Sequence, residues 1–152
     1  MKLTVLVDNA AGGRFFAEHG LSYFIEHDGI KFLFDTGHSN IFLYNAQKMG
    51  LGLQNLINTV VLSHGHWDHG DGLSFLRNKD LICHPQVFMK RYRKSDHSYI
   101  GLGMTEDQVK QRYTVKTSKE PVYLSEHIIY LGEIPRMNDF EAQSTYFEDE
   151  AG

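Results

Sequence analysis

The chain has 152 residues, of which 41% are hydrophobic and 22% charged, and its formal net charge is −4. This is the composition of a globular protein of one domain, or part of one. The acidic balance argues against general nucleic-acid binding, which needs a basic face. The single cysteine, Cys83, excludes an internal disulfide and favours a cytoplasmic location. We find no stretch that predicts a signal peptide or a membrane span.

The predicted elements alternate between strands and helices. Apolar, β-branched runs predict strands, and capping signals mark helices. In chain order we expect strands at 2–8, 21–27 and 30–35, a helix at 39–50, a strand at 57–63, a helix at 72–78, a strand at 80–84, helices at 85–94 and 105–113, and strands at 121–125 and 127–132. The order predicts a mixed α/β fold with a sheet packed against helices. The acidic tail at 140–152 shows no clear period.

Local signals support several of these bounds. The Asp-Gly pair at 28–29 stands between two strand-like runs, which is typical of a tight hairpin. Ser39 can cap the helix that follows it, and Gly50 can supply the left-handed residue after its last turn. Asp71 is a candidate N-cap for the next helix. Pro85 is tolerated in a first helical turn and so favours a helix at 85–94.

The stretch "LSHGHWDHGDGL" at 62–73 concentrates residues that can bind a metal. It follows a predicted buried strand, and open α/β sheets bind ligands at the carboxyl ends of their strands. His64 and His66 are two positions apart, so both rings point to one side of an extended segment. Asp68 and His69 can together face a second position nearby. Imidazole nitrogens and carboxylate oxygens are normal zinc ligands, so we interpret this loop as a metal site and not as a histidine-rich surface loop.

This loop resembles the signature of the metallo-β-lactamase superfamily. "GLSYFIEHDGIKFLFDTG" is similar to the early hairpin of that superfamily, which ends in an Asp-Thr-Gly turn, and "CHPQVFMKRY" and "LGEIPR" resemble its dihydropterin synthase-like subgroup. The resemblance runs from Lys2 to about Phe147. It implies an α/β fold, a metallo-β-lactamase-like αββα sandwich. We expect one domain over residues 1–152, with the first half of that sandwich plus an insertion and without the C-terminal part.

The resemblance also implies a role for each residue of the motif. His64 and His66 would hold a first metal ion, and Asp68 and His69 a second, with zinc as the default and iron or manganese as alternatives. Asp68 would also act in catalysis by orienting the nucleophile. Asp35 would orient the loop from behind, unless it only ends a strand. The implied activity is hydrolysis of an ester, phosphoester or related bond by a metal-activated water in a cytoplasmic enzyme.

The chain departs from the family pattern after the motif, because the later ligands of the family are not visible. His84 is a candidate support for the metal ligands, with a core position as its alternative. We interpret His127 as structural, His97 as a loop residue, and His19 and His27 as surface residues. A truncated chain, a split subunit and a site completed in another way all remain open. The alternative function is a non-catalytic or split subunit, and the expected partner is a second copy or a missing C-terminal piece.

Basic side chains cluster at 90–94, "KRYRK", in a chain of net charge −4. Arg91 and Arg93 are therefore candidates for binding a small anionic substrate, such as one that carries a phosphate. The alternative is a solvated face of the predicted helix. Nothing outside the shared motif points to a β-lactam substrate, and neither a membrane nor a nucleic acid is an expected partner.

Overall fold

The computed structural model of the chain describes residues 1–135, 137–140 and 145–150. Its strands are β1 Lys2–Val7, β2 Ser22–His27, β3 Ile30–Phe34, β4 Thr59–Val61, β5 Lys79–Cys83, β6 Arg91–Arg93, β7 Tyr113–Thr117, β8 Val122–Tyr123, β9 Ile129–Tyr130 and β10 Phe147–Asp149. The helices are α1 Ile41–Lys48, α2 Leu53–Leu56, α3 Trp67–Gly70 and α4 Glu106–Lys110, with 3₁₀ turns at Asp71–Phe75 and Pro85–Phe88. No helix in these described ranges is long and apolar enough to cross a bilayer.

Six strands form the main sheet in the order β1-β2-β3-β4-β5-β7. The first three are antiparallel, and β3, β4, β5 and β7 run parallel. Asp28 and Gly29 have φ angles of +50° and +74°, as the predicted tight turn between β2 and β3 requires. Because β3, β4 and β5 run parallel, their carboxyl ends lie at the same edge of the sheet.

The helices cover one face of this sheet. Phe24, Leu33, Val60 and Leu81 point from four strands into a core that they share with Phe42 of α1, and none of these five side chains is exposed. Burying one such side chain stabilises a fold by roughly 1.5–3 kcal/mol. This layer of sheet on helix fixes the positions of the strand ends.

The opposite face of the sheet is covered by a short hairpin. Phe32, Val61 and Ile82 form a second, smaller cluster there, and Leu124 and Ile128 of the β8–β9 hairpin pack against it. Because the hairpin strands have only two residues each, they cover only part of the face.

The β1 edge of the same face carries exposed apolar side chains. Leu3 and Val5 are each 45% exposed. Leu3 pairs with Ile25, which pairs with Phe32 in the next strand, so these side chains share one face of the sheet. The apolar surface of this face therefore continues beyond the hairpin.

The prediction of a helix at 85–94 is wrong. Pro85 opens a 3₁₀ turn of only four residues, and Met89 then takes an extended conformation with φ −62° and ψ 138°. Arg91–Arg93 form a strand that pairs antiparallel with Phe147–Asp149. The partner strand supplies backbone hydrogen bonds that the local proline signal could not foresee, so the solvated helix face proposed for the basic cluster does not exist.

Two other helical predictions need correction. The segment at 72–78 forms a 3₁₀ turn at its start, and Asp71 accepts a hydrogen bond from Gly103 N at 2.7 Å and caps no helix. The helix at 105–113 is confirmed only as far as Lys110. Its capping box uses Thr105 and Gln108, and the chain then enters β7, which the sequence patterns missed.

The helix at 39–50 is confirmed as α1, and Gly50 has the expected positive φ of +76°. Asn40 occupies the N-cap position, and the hydroxyl of Ser39 accepts from Ile41 N at 3.3 Å. The strands predicted before and after the histidine loop are confirmed as β1 to β5, and the late pair as β8 and β9. The described part of the acidic tail contains β10, whereas residues 141–144 and 151–152 lie outside the described part.

Candidate metal centre

The histidine loop leaves β4 at the carboxyl edge of the sheet, where β3 also ends. Asp35 follows β3 directly and is completely buried. Its Oδ1 accepts from Ser63 N at 2.8 Å, and its Oδ2 accepts from Ser63 Oγ and from His69 Nδ1, each at 2.7 Å. Asp35 has a φ of +54°, an uncommon value for a residue other than glycine. One buried carboxylate thus connects the beginning and the end of the loop.

These hydrogen bonds determine which nitrogen of each ring is free. Ser63 uses its hydroxyl proton on Asp35, so its oxygen accepts from His64 Nδ1, which lies 2.8 Å away. His64 Nε2 is then left without a proton. In its neutral form His69 likewise uses Nδ1–H on Asp35 and leaves its Nε2 without a proton. A metal ligand needs such a bare nitrogen, oriented by a hydrogen bond on the other side of the ring.

The candidate ligand atoms occur as two pairs. His64 Nε2 lies 3.1 Å from His66 Nδ1, and His69 Nε2 lies 3.6 Å from Asp68 Oδ2. Two ligands of one tetrahedral zinc ion, each about 2.0–2.2 Å from it, lie roughly 3.3–3.6 Å apart. The rings of His64 and His69 are 4.3 Å apart between centroids, so the pairs are neighbours. The donor set and its spacing therefore fit two adjacent divalent ions.

Neither pair gains a third ligand from the described residues. Three ligand atoms lie within 4.8 Å of one another at only one place in this part of the chain, and that place is not the histidine loop. A catalytic zinc site usually has three protein ligands. The described residues therefore supply two ligands to each ion and leave the rest of its coordination sphere open.

Burial and neighbouring charges set the protonation of the loop. Burial, then the charges of His69 and His66, lower the pKa of His64 to about 4. Burial also lowers the pKa of His66. In His69 burial is again the largest single effect and lowers the pKa, but the hydrogen bond to Asp35 and the negative charges of Asp35 and Asp68 together outweigh it, so the pKa is raised. His64 and His66 are therefore neutral near pH 7, as metal ligands must be.

Close backbone contacts explain two glycines near the loop. A Cβ on Gly65 would lie 1.8 Å from the carbonyl oxygen of Val87, and a Cβ on Gly20 would lie 2.2 Å from that of Asp68. Gly20 also has a φ of +142°. Any other residue at these positions would force the loop away from the segments that hold it.

Sequence reasoning missed His19, which it placed on the surface. His19 Nε2 lies 3.3 Å from Asp68 Oδ2, and its Nδ1 lies 2.9 Å from Asn9 Oδ1. His38 packs edge-on against Trp67 with 4.6 Å between ring centroids. His19 is 49 positions before Asp68 and stands in no motif, so no local pattern could have indicated the contact.

The other predicted site residues contact different groups. His84 follows β5, accepts from Gln86 N at 3.2 Å and places Nε2 3.6 Å from Glu133 Oε2. Its role as a support for the metal ligands stays a prediction.

Arg91 donates to the carbonyl oxygens of Gln86, Val87 and Met89 at 2.8, 3.3 and 2.9 Å. Arg93 is half exposed and pairs with Asp96 at 3.6 Å. Substrate binding by Arg91 and Arg93 stays a prediction.

The acidic tail also reaches the centre. The ring of Phe147 packs edge-on against His66 with 4.8 Å between centroids. Glu148 pairs with His97 at 2.9 Å, and Lys90 pairs with Glu150. Part of the basic cluster is therefore neutralised by the tail strand, which places an apolar ring beside the first ligand pair.

Comparison with known proteins agrees with the geometry. Residues 16–80 match the sequence model of the metallo-beta-lactamase superfamily. The crystal structure of Tm1679, described as a metal-dependent hydrolase of the beta-lactamase superfamily, superposes with a TM-score of 0.73 at 29% identity, over 97% of this chain and 58% of that one. The chain thus has the metallo-β-lactamase fold.

Two proteins of Methanocaldococcus jannaschii are also similar. The uncharacterized protein MJ0448 is 33% identical over 150 residues, covering 93% of this chain and 56% of that protein. 7,8-Dihydropterin-6-methyl-4-(beta-D-ribofuranosyl)-aminobenzene-5'-phosphate synthase is 30% identical over 150 residues, covering 88% and 51%. The resemblance to the metallo-β-lactamase superfamily that the motif predicted is confirmed by this sequence match and by the fold, and the chain spans about half the length of these curated relatives.

Proposed function

We propose that this chain carries the metal-binding half of a metal-dependent hydrolase and that His64, His66, Asp68 and His69 are its ligands. The observation that carries the proposal is the hydrogen-bond network of Asp35, which leaves a bare nitrogen on His64 and on His69. Zinc is the proposed metal, with two ions in the complete site and iron or manganese as alternatives, because imidazole and carboxylate are its usual nitrogen and oxygen ligands.

The roles of the side chains follow from their contacts. Bound divalent ions would supply Lewis acidity and lower the pKa of a water molecule. Asp35 holds the rings of the loop in orientation, and its burial keeps water from competing for those hydrogen bonds. Asp68 has its Oδ2 directed toward His69 and His19, so it is the group that we assign to orienting the nucleophile. A solvent-derived nucleophile agrees with the burial of Cys83, the only thiol of the chain.

We propose an ester or phosphoester as the substrate, with a phosphate-bearing small molecule preferred. One relative is by name a synthase of a ribofuranosyl-aminobenzene 5'-phosphate compound, which supports a phosphorylated ligand. Arg93 is half exposed and lies in β6, and Arg91 lies against the histidine loop, where a Cβ on Gly65 would meet its guanidinium at 2.7 Å. A cytoplasmic location is part of the proposal and rests on the lone cysteine of the chain.

A second candidate is a split or non-catalytic subunit that needs a partner. The observation that favours it is that each ion is offered only two ligands by the described residues. The partly covered apolar face, with Leu3 and Val5 at its edge, offers a surface for a second copy or for a C-terminal piece. Association would supply the missing metal ligands and would also cover the exposed part of this apolar face.

The test is metal content measured together with turnover. We expect the purified chain to contain zinc and His64→Ala/His66→Ala to lose most metal of the first pair, whereas His97→Asn, a change at an exposed histidine, retains it. Unchanged metal in the double variant would reject the ligand assignment.

Turnover on a phosphoester and an uncharged ester, with Arg93→Ala as the test variant, reports on the substrate. Equal effects on both substrates would reject a role for Arg93 in binding an anion.

Light scattering at micromolar concentration separates the two candidates. A stable monomer with two ions per chain and full turnover would reject the need for a partner. An oligomer, or a chain that gains activity only when a C-terminal piece is added, would support the split site.

A further inference from the structure

A second group of metal-binding side chains lies away from the histidine loop. His27, Asp28 and His127 each place a ligand atom within 4.8 Å of the other two. Asp28 belongs to the turn between β2 and β3, at the opposite end of β3 from Asp35. Five residues of extended chain separate the two ends, so the distance between them is roughly 16 Å. The group is therefore independent of the candidate metal centre.

The carboxylate of Asp28 is held in a fixed orientation. Its Oδ2 accepts from Ser125 Oγ at 2.7 Å and from His127 N at 2.9 Å. The hydrogen bond from Ser125 is the main reason why the pKa of Asp28 is lowered, so the group is a carboxylate near neutral pH. Oδ1 is directed toward His27, whose Nε2 lies 3.5 Å away. The turn and the β8–β9 hairpin thus meet at one negative charge.

The two imidazoles approach this carboxylate from different hairpins. His127 Nδ1 lies 3.1 Å from Asp28 Oδ2, and the ring centroids of His27 and His127 are 6.1 Å apart. The carboxylate oxygens of Asp28 lie 3.1 Å from His127 Nδ1 and 3.5 Å from His27 Nε2. These distances are close to the roughly 3.3–3.6 Å that separates two ligand atoms of one tetrahedral ion. Two imidazoles and one carboxylate select zinc, nickel or copper over magnesium and calcium, which prefer oxygen ligands.

We propose that His27, Asp28 and His127 form a second site for a divalent transition-metal ion, and that this ion ties the β2–β3 turn to the β8–β9 hairpin. The hairpin carries Leu124 and Ile128, which cover one face of the sheet. A ligand that binds only the folded arrangement stabilises it by mass action. The ion therefore holds the hairpin on the sheet and has a structural role separate from hydrolysis.

Paramagnetic broadening in NMR spectra of the full chain tests the location directly. Cu²⁺ added to the His64→Ala/His66→Ala/His69→Ala variant should broaden the imidazole signals of His27 and His127 at the lowest ratios of metal to protein. His97 is the internal control, because it also pairs with a carboxylate, Glu148 at 2.9 Å, but belongs to no three-ligand group among the residues that the structure describes. Equal broadening of His97 and His127, or no broadening of His27, would overturn the proposal.

Zinc binding to variants tests the stoichiometry. In the same background, we expect one zinc per chain, a melting temperature that rises with zinc concentration, and at least a tenfold loss of affinity in His27→Ala/His127→Ala. His97→Asn is the matched control and should bind zinc as before, since asparagine tolerates the positive φ of +53° at that position. Unchanged affinity in the His27→Ala/His127→Ala variant would overturn the proposal even if the control behaves as expected. Should that variant fail to fold, the NMR experiment on the chain with both histidines present decides.

Discussion

Oδ2 of Asp35 lies 2.7 Å from Nδ1 of His69, across 34 positions of sequence. This contact connects the end of β3 to the loop that follows β4, and it decides that His69 presents Nε2 to Asp68. A buried carboxylate that orients an imidazole from behind raises the basicity of the ligand and fixes its ring.

Replacing Asp35 with Asn should weaken metal binding by about 10–100-fold, because an amide has one acceptor oxygen where the carboxylate has two, so it cannot accept all three hydrogen bonds from Ser63 and His69. Competition with a chromophoric zinc chelator measures the affinity. Asp80→Asn is the matched control, since Asp80 is a partly exposed carboxylate that pairs with Lys116 at 2.6 Å. Equal zinc affinity in Asp35→Asn and the parent would show that Asp35 does not orient the ligands.

Replacing Gly65 with Ala should lower the free energy of unfolding by about 1–3 kcal/mol, because the added methyl group collides with the carbonyl of Val87. Urea denaturation measures the change. Gly12→Ala is the control, because a Cβ there has no atom of the described residues within 4 Å. A Gly65→Ala protein as stable as the Gly12→Ala protein would mean that the loop can move away from Val87 at little cost.

The thiol of Cys83 should be unreactive in the folded chain. Burial raises its pKa to about 12, so at pH 8 the thiolate is roughly a thousand times scarcer than for an ordinary cysteine. We expect iodoacetamide to modify Cys83 at least a hundredfold faster in denaturant than under native conditions, as followed by mass spectrometry. Rapid labelling of the native protein would contradict the burial of this side chain.

The two arginines of the basic cluster should differ in their effect on stability. Arg91→Ala should lower the free energy of unfolding by about 1.5–3 kcal/mol, because three backbone carbonyl oxygens lose their charged hydrogen-bond donor. Arg93→Ala should cost at most about 1 kcal/mol, the usual range for an exposed ion pair. Urea midpoints compare them directly. Arg93→Ala is thus the cleaner probe of anion binding, and a larger loss of stability in Arg93→Ala than in Arg91→Ala would reverse this assignment.

Much of the sheet could be predicted from sequence because its signals are local. The Asp-Gly turn, the apolar runs of the first five strands and the helix before Gly50 all appeared where the patterns placed them. The metal motif was equally visible, since its four side chains lie within six positions. Their roles as metal ligands remain a prediction, although the structure brings them together in two pairs.

The errors share one physical cause, which is that distant chain segments decided the local structure. The basic cluster became a strand because Phe147–Asp149 pairs with it, and no signal within 85–94 could indicate that partner. His19 reaches Asp68 through the fold alone. The contact of Asp28 with His127, across 99 positions, is of the same kind. Patterns read along the chain describe local preference, and these contacts depend on tertiary packing.

The order of strands in the main sheet has a consequence for how the chain folds. Apart from β6, which lies outside it, the sheet follows the order of the sequence from one edge to the other. The β1–β2–β3 meander needs only short-range contacts and can form early, and each parallel strand then adds to an existing edge after a longer loop has closed. The histidine loop lies between β4 and β5, so it reaches its final position only when β5 has joined. An interruption of folding before that point would leave an ordered β1–β2–β3 meander, while the histidines of the 62–73 loop would still be mobile.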